Sequence, residues 1–194
     1  MKASFSQFVK SAIPNFPVSD EGLNTIIDSL EEFELEKGEY FLKQGKISGS
    51  MILLEGHFRC YTFNENGDEV TTAFYGPPRL IFDVASFFQQ KPSLENIIAL
   101  TKIKGYYGNY QTVDKIFHEY PLWREFGRAM LAKEYILFKD RTMRLINLSA
   151  EERYAHLMQT EPEIFQIAQL RHIASYLNIT DTSLSRIRRD FGSK

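Results

Sequence analysis

Leu170-Arg-His-Ile-Ala-Ser-Tyr-Leu-Asn-Ile-Thr-Asp-Thr-Ser-Leu-Ser-Arg-Ile-Arg-Arg189 reads as two short helices joined by a tight turn. Ile173, Ala174 and Leu177 share one face of the first helix by three- and four-residue spacing. Ala174 is small where the helices must cross. Asn178 occupies the turn, where a left-handed backbone is wanted and Asn is the most tolerant residue after Gly. Ile179 plugs the gap between the helices. Thr180 suits the N-cap of the second helix, because its hydroxyl can accept an orphan backbone N–H. Leu184 and Ile187 face inward at i and i+3, which leaves Asp181, Thr182, Ser183, Ser185, Arg186, Arg188 and Arg189 on the outer side.

This layout is a helix-turn-helix, which places its second helix in the major groove of DNA. Short hydroxyls near a helix N-terminus suit phosphate oxygens, and Arg suits the O6/N7 edge of guanine. The candidate DNA-binding residues are therefore Thr180, Asp181, Thr182, Ser183, Ser185, Arg186, Arg188 and Arg189. A plain helical hairpin shows the same apolar spacing, and arginines late in a helix favour its negative end. The small, turn and plug positions together favour the DNA reader.

Charge points the same way. The net charge of −2 is unevenly spread: residues 1–112 carry −4, residues 113–164 carry −1 and residues 165–194 carry +3. A positive end is what attraction to phosphates requires. A charge of +3 is modest, so a dimer presenting two copies is the sensible unit. At 194 residues, 43% hydrophobic and 14% aromatic, the chain can bury a substantial core. Its one cysteine, Cys60, excludes a disulfide framework within the chain and reads as a buried thiol. No apolar run reaches membrane-spanning length and no signal peptide is visible, so the expected location is the cytoplasm, with no membrane partner.

Upstream of the decisive stretch the pattern changes twice. Phe5 to Phe33 reads as helical, with Leu23, Ile26, Ile27 and Leu30 at helical spacing, a start at Ser19-Asp20-Glu21, and breaks at Pro14 and Pro17. From about Glu34 to Asn109 the period is two. Tyr40-Phe41-Leu42, Ser50 to Leu54, Phe58 to Phe63, Val70 to Tyr75, Ile97 to Ile103 and Gly105 to Tyr110 read as strands. Turn signals separate them: Lys37-Gly38-Glu39, Gln44-Gly45, Glu55-Gly56, and a hairpin loop Asn64 to Asp68 with Asn66-Gly67 near its tip. Such strands suggest an antiparallel barrel or jelly roll, with a short helix at Phe82 to Gln90. Val113 to Glu119 is a short helix and Leu122 to Ile146 a long one. Phe126, Ala129, Met130, Lys133, Ile136 and Leu137 are candidates for one face of the long helix. A second copy of the same helix would cover its excess apolar surface; packing on the barrel is the alternative. Ser149-Ala-Glu-Glu152 is a capping box opening a helix from Ala150 to Gln159.

The fold class expected is α+β: an N-terminal antiparallel β-roll with its helix at 1–112, connecting and dimerisation helices at 113–147, and a helix-turn-helix domain at 148–194. A barrel, a long helix and a C-terminal helix-turn-helix in that order resemble the Crp/Fnr family of bacterial transcription regulators. The best local matches are Lys37-Gly38-Glu39, Ile52-Leu53-Leu54-Glu55-Gly56 and Leu184-Ser185-Arg186-Ile187. Glu151-Glu152-Arg153-Tyr154 followed by Ile173-Ala174-Ser175-Tyr176-Leu177 is similar to the compact members of Bacteroidetes-type bacteria. The resemblance implies a cyclic-nucleotide-binding-type barrel, a homodimer along the long helix, and promoter binding by paired recognition helices. It implies base reading by Asp181, Thr182 and Arg186, with Ser183 and Ser185 at phosphate. Many relatives begin this helix Arg- or Pro-Glu-Thr; here it begins Asp-Thr-Ser, so the preferred DNA sequence is not inherited. The chain's end at Lys194 leaves little room for a β-wing. The resemblance leaves RNA polymerase open as a further partner.

The family's nucleotide cassette is a Gly-Glu near a short helix, then an Arg-Ser/Thr about ten residues on. Here the pairs align with Phe82-Asp83 and with Ser93-Leu94, followed by Glu95. The phosphate-binding arginine is missing and Glu95 repels an anion; Phe138-Lys139 also departs from the adenine-contacting pair. Arg79 reads as an exposed arginine, with reach into the cassette as the alternative. The candidate effector pocket is thus Arg79, Phe82, Asp83, Ser93 and Glu95, with no tight cyclic AMP binding expected and the effector unknown. Phe82, Phe87 and Phe88 with Tyr106 and Tyr107 are expected to fill this pocket or line it for another small molecule. No cofactor, metal or catalytic residue is expected. A single cysteine excludes an iron–sulfur cluster; His57, His118, His156 and His172 read as lone surface or structural histidines, with a haem ligand as the alternative; and no nucleophile triad or phosphate loop is visible. An enzymic barrel would need several His and a carboxylate inside, and the strand region offers only His57.

Overall fold

The computed structural model describes residues 1–13 and 16–192; Pro14 lies outside the described residues. Two helices, α1 (Lys2–Ala12) and α2 (Asp20–Asp28), precede the strands. Ser19 caps α2 by accepting the Gly22 N–H at 3.1 Å. The helix expected to run to Phe33 stops here. Glu31–Leu35 is strand β1, because Phe33 and Leu35 turn toward the barrel while Glu32 and Glu34 stay outside, a period of two rather than 3.6.

The remaining strands are β2 (Tyr40–Leu42), β3 (Ser50–Glu55), β4 (Phe58–Phe63), β5 (Glu69–Tyr75), β6 (Arg79–Ile81), β7 (Asn96–Ala99) and β8 (Ile103–Gly108). They form two antiparallel sheets in the orders β1-β8-β3-β6 and β2-β7-β4-β5. The single strand expected from Ile97 to Ile103 is two. The chain leaves the second sheet after Ala99 and joins the first at Ile103, so an unbroken apolar run spans a crossing between sheets. β3 is apolar on both faces because both are covered. Met51 and Leu53 point between the sheets, and Ile52 and Leu54 pack with the helices. Gly56 (φ 92°) and Gly67 (φ 83°) make the left-handed corners after β3 and inside the β4–β5 hairpin. The hairpin loop is closed by the Asn64 side chain, which accepts the N–H groups of Asn66 and Asp68.

Short helix α3 (Val84–Gln89) starts at Asp83, whose carboxylate caps it by accepting the Ser86 N–H. Helix α4 (Tyr110–Glu119) begins three residues earlier than expected, because Asn109 caps it and ends β8 at Gly108. Helix α5 (Pro121–Asn147) is the long helix. Its candidate apolar residues do not share one role. Trp123, Phe126 and Met130 are buried with Phe5, Phe8 and Ile52, whereas Ile136, Leu137 and Lys133 are exposed farther along. Helix α6 (Ala150–Thr160) opens with the full capping box: Ser149 Oγ accepts the Glu152 N–H at 3.2 Å and the Ser149 N–H donates to Glu152 Oε2 at 2.8 Å. Helices α7 (Ile164–Ile167), α8 (Leu170–Tyr176) and α9 (Asp181–Gly192) follow.

The C-terminal helices rest on the outer face of the second sheet. Phe74 of β5 and Leu100 share a core with Tyr154, Ile164, Ile173 and Leu184. The Phe74 and Tyr176 rings meet edge to face at 5.1 Å. Among the described residues, no helix is long and apolar enough to cross a membrane.

Candidate nucleic-acid interface

The turn between α8 and α9 follows from its residues. Asn178 has φ 54°, and the Ile179 N–H reaches back to the Ala174 carbonyl at 3.0 Å, closing α8 through a left-handed residue. Ala174 is fully buried at the crossing, as its size requires, and Ile179 is half-buried against the same core. Thr180 Oγ1 accepts the Ser183 N–H at 3.2 Å and meets the hydroxyls of Thr182 and Ser183, so the cap and the hydroxyls of the first turn form one cluster. Leu184 and Ile187 are buried, which contributes about 1.5–3 kcal/mol each and fixes the rotation of α9. Thr180, Asp181, Thr182, Ser185, Arg186, Arg188 and Arg189 are exposed, and Ser183 is half-buried. Arg189 lies 3.6 Å from Asp190, and Phe191 packs edge to face on Tyr154 of α6. Arg153 of α6 binds the carbonyls of Leu148 and Leu177, which joins the start of α6 to the end of α8.

The first turn of α9 lines a cleft of about 860 Å³. Asn64, Gly67, Asp68 and Glu69 of the β4–β5 hairpin line it as well, as do Arg171, His172 and Ser175 of α8. On β5, an edge strand, the Thr71 N–H donates to Ser175 Oγ at 2.9 Å, and Ser175 Oγ donates to the Glu69 carbonyl at 3.4 Å. Glu69 also holds Arg59 at 2.6 Å and faces His172 Nε2 at 3.6 Å. No local signal marks these five residues, since Thr71 and Ser175 are 104 positions apart.

The candidate effector residues split into two groups. Asp83, Ser93 and Glu95 come together. Ser93 Oγ donates to Asp83 Oδ2 at 2.6 Å and accepts the Glu95 N–H, and Glu95 Oε2 accepts the Cys60 thiol at 3.4 Å. Burial, then the Glu95 charge, pushes the Cys60 thiol far above its usual range. Phe82 packs on Phe87 and Phe88 beside them. Arg79 is elsewhere and is not an exposed arginine. It forms a bidentate pair with Glu134 of α5 and lies 4.6 Å over the Tyr75 ring, so it fastens α5 to β6. The expected aromatic cluster is likewise divided: Tyr106 packs on Phe5, and Tyr107 on Phe33 and Phe41. His57 pairs with Glu163 and His118 with Asp114; among the described residues no three His, Cys, Asp or Glu side chains gather as a metal site needs.

Residues 32–120 match the cyclic nucleotide-binding domain family. No curated protein matches the sequence. Among solved structures, FixK2 from Bradyrhizobium japonicum is 18% identical with a TM-score of 0.68, over 84% of this chain and 85% of that one. The c-di-GMP-responsive global regulator CLP of Xanthomonas campestris is 13% identical with a TM-score of 0.69, over 90% and 92%. A protein from Eubacterium rectale assigned to the Crp/Fnr family is 15% identical with a TM-score of 0.69, over 94% and 88%. The chain therefore has the α+β fold of the Crp/Fnr regulators, with a barrel of the cyclic nucleotide-binding type.

Proposed function

We propose that this chain is a dimeric, sequence-specific DNA-binding transcription regulator of the Crp/Fnr type, and not an enzyme. The observation that carries this reading is the outer face of α9. Leu184 and Ile187 anchor the helix, while Thr182, Ser185, Arg186 and Arg188 stand exposed on it behind a hydroxyl-lined first turn. Hydroxyls and the helix N-terminus meet phosphate, and Arg186 reads guanine. Dimerisation is supported by α5. Tyr135, Phe138 and Ile146 are 67%, 65% and 71% exposed on a helix whose first half is packed against the barrel. Leu131, Tyr135, Phe138, Thr142 and Leu145 alternate four- and three-residue steps, the period of a coiled-coil seam. The test is selection of duplexes from random DNA by the purified protein. A recovered two-fold motif supports the reading, and recovery of unrelated sequences counts against it.

The barrel is the sensing or interaction module. By the family resemblance the phosphate-binding arginine would fall at Ser93, which here donates to Asp83, while the neighbouring Glu95 takes the Cys60 thiol. An anionic cyclic nucleotide finds two carboxylates there. The second reading, a cyclic-nucleotide sensor, draws on the domain match at residues 32–120. Calorimetry with cyclic AMP and cyclic GMP separates the two: micromolar binding to this barrel favours the sensor.

A further inference from the structure

The contact between α8 and the barrel is unlike the rest of the core. Its rim is polar and incompletely paired. The Arg59 side chain is 3% exposed and lies 4.4 Å over the Tyr61 ring; its Nε and Nη1 bind Thr71 and Glu69, yet among the described residues Nη2 is buried without a hydrogen bond. Beside it the His172 side chain is 12% exposed; its Nε2 faces Glu69 at 3.6 Å, beyond hydrogen-bond distance, and among the described residues neither ring nitrogen has a hydrogen bond. Buried donors and acceptors left unpaired raise the free energy of the state that buries them, and water would satisfy them on opening. The same contact covers the free edge of β5 with one serine hydroxyl, which takes the Thr71 N–H and gives its proton to the Glu69 carbonyl. A permanent interface would have little use for such a rim. A contact made to open would have one.

The first turn of α9 shares a cleft with the hairpin: Thr180 and Asp181 line it together with Asp68 and Glu69. A recognition helix enters the groove by its N-terminal residues. Phosphates flanking that groove would meet the hairpin carboxylates while α8 stays docked.

We propose that the α8–β5 contact is a latch: Ser175 and His172 of α8, held on Thr71, Glu69 and Arg59 of the barrel, keep the first turn of α9 against the acidic hairpin, and opening the latch releases it to a duplex. The duplex limb rests on the DNA-binding function proposed above; the latch itself does not. Acid opens it. Burial, then the positive charges of Arg59 and Arg171, lowers the His172 pKa to about 4, against the partly opposing Glu69 and Asp181. Once released, the imidazole regains an ordinary value near ~6.5. Docking is thus fully stabilised above that value and weakens as pH falls from there toward about 4.

The test uses the full chain. Amide exchange of the Glu69–Tyr75 segment reports the latch, and affinity for a duplex selected from random DNA reports its consequence. Ser175→Ala and Glu69→Gln are expected to speed Thr71 exchange at least about ten-fold, a change of about 1.4 kcal/mol in opening, while β4 amides keep their rates and the duplex binds several-fold tighter. Unchanged Thr71 exchange in both variants overturns the latch. Faster exchange with equal or weaker duplex binding overturns its control of α9. Faster exchange in a protein that selects no duplex in any form sinks the regulator reading and leaves the latch standing. In the unaltered chain, opening corrected for the intrinsic exchange rate is expected to rise between pH 7.5 and 5.5. His172→Gln is expected to flatten that rise, and a rise that survives the substitution removes His172 from the device.

Discussion

Arg186 and Arg188 differ by two positions on a helix, and so by more than half a turn. They cannot address the same part of a duplex. On the proposed function Arg186 reads a base edge, so Arg186→Ala is expected to cost about 1–3 kcal/mol on the preferred site and to relax the choice of base at one position. Arg188→Ala is expected to weaken all duplexes alike and to reduce the salt slope by about 1. Binding titrations across salt on preferred and scrambled duplexes distinguish these outcomes; identical behaviour of the two variants counts against a groove-reading face. Asn178 makes a separate prediction. Its φ of 54° penalises a β-carbon without a compensating side-chain hydrogen bond. Asn178→Ala is therefore expected to destabilise by about 1 kcal/mol and Asn178→Gly to be neutral or better, measured by urea unfolding. The Asn178 turn and the Thr180 cap were legible in the sequence because turn and cap chemistry is local. His172, Ser175 and Arg79 were not. Their roles depend on Glu69, Thr71 and Glu134, which the chain brings from 55 to 106 residues away.

At the scale of elements, periodicity located most strands and helices and failed where two signals compete. Glu31-Glu32-Phe33 continues a helical spacing from Leu30, but its partner β8 imposes a period of two. Ile97 to Ile103 is uniformly apolar, so nothing in the run marks the crossing between sheets. The long helix shows the same limit in another form. Its apolar residues exceed one stripe because two surfaces share them: Trp123, Phe126 and Met130 on the barrel side, then Tyr135, Ile136, Phe138 and Ile146 without cover from the barrel. In the proposed dimer, a carboxylate placed in that second set would be buried between two copies. Phe138→Glu is expected to convert a dimer to a monomer in sedimentation equilibrium while leaving the far-ultraviolet circular dichroism unchanged, since Phe138 is exposed in the single chain. Its affinity for a two-fold duplex is expected to fall by at least about ten-fold, as one +3 segment replaces two. A monomeric unaltered chain would remove the seam from consideration.

The whole molecule is held together by what its two halves share. Phe74 belongs to β5 by sequence and to the helix-turn-helix core by packing. This shared core was invisible in the sequence, because Phe74 alternates like any strand residue and only the tertiary fold supplies Tyr176 against it. It also couples the halves energetically. Trp123 is the only tryptophan, and it lies in the cluster of α1, α2, α4 and α5 on the barrel, so its fluorescence reports that half. Far-ultraviolet circular dichroism weights all helices, including α6, α8 and α9. In the unaltered chain the two signals are expected to fall together in urea, as a single cooperative unit requires. Phe74→Ala removes a buried ring from the joint, at a cost of about 3–5 kcal/mol. Most of that loss falls on the attachment of the C-terminal helices, whose own core retains Tyr154, Ile164, Ile173 and Leu184. The circular dichroism transition of the variant is therefore expected to move to lower urea and separate from the Trp123 transition, at fixed protomer concentration so that dimerisation does not shift either. Transitions that stay superimposed after this substitution would mean that the halves are joined by something other than Phe74.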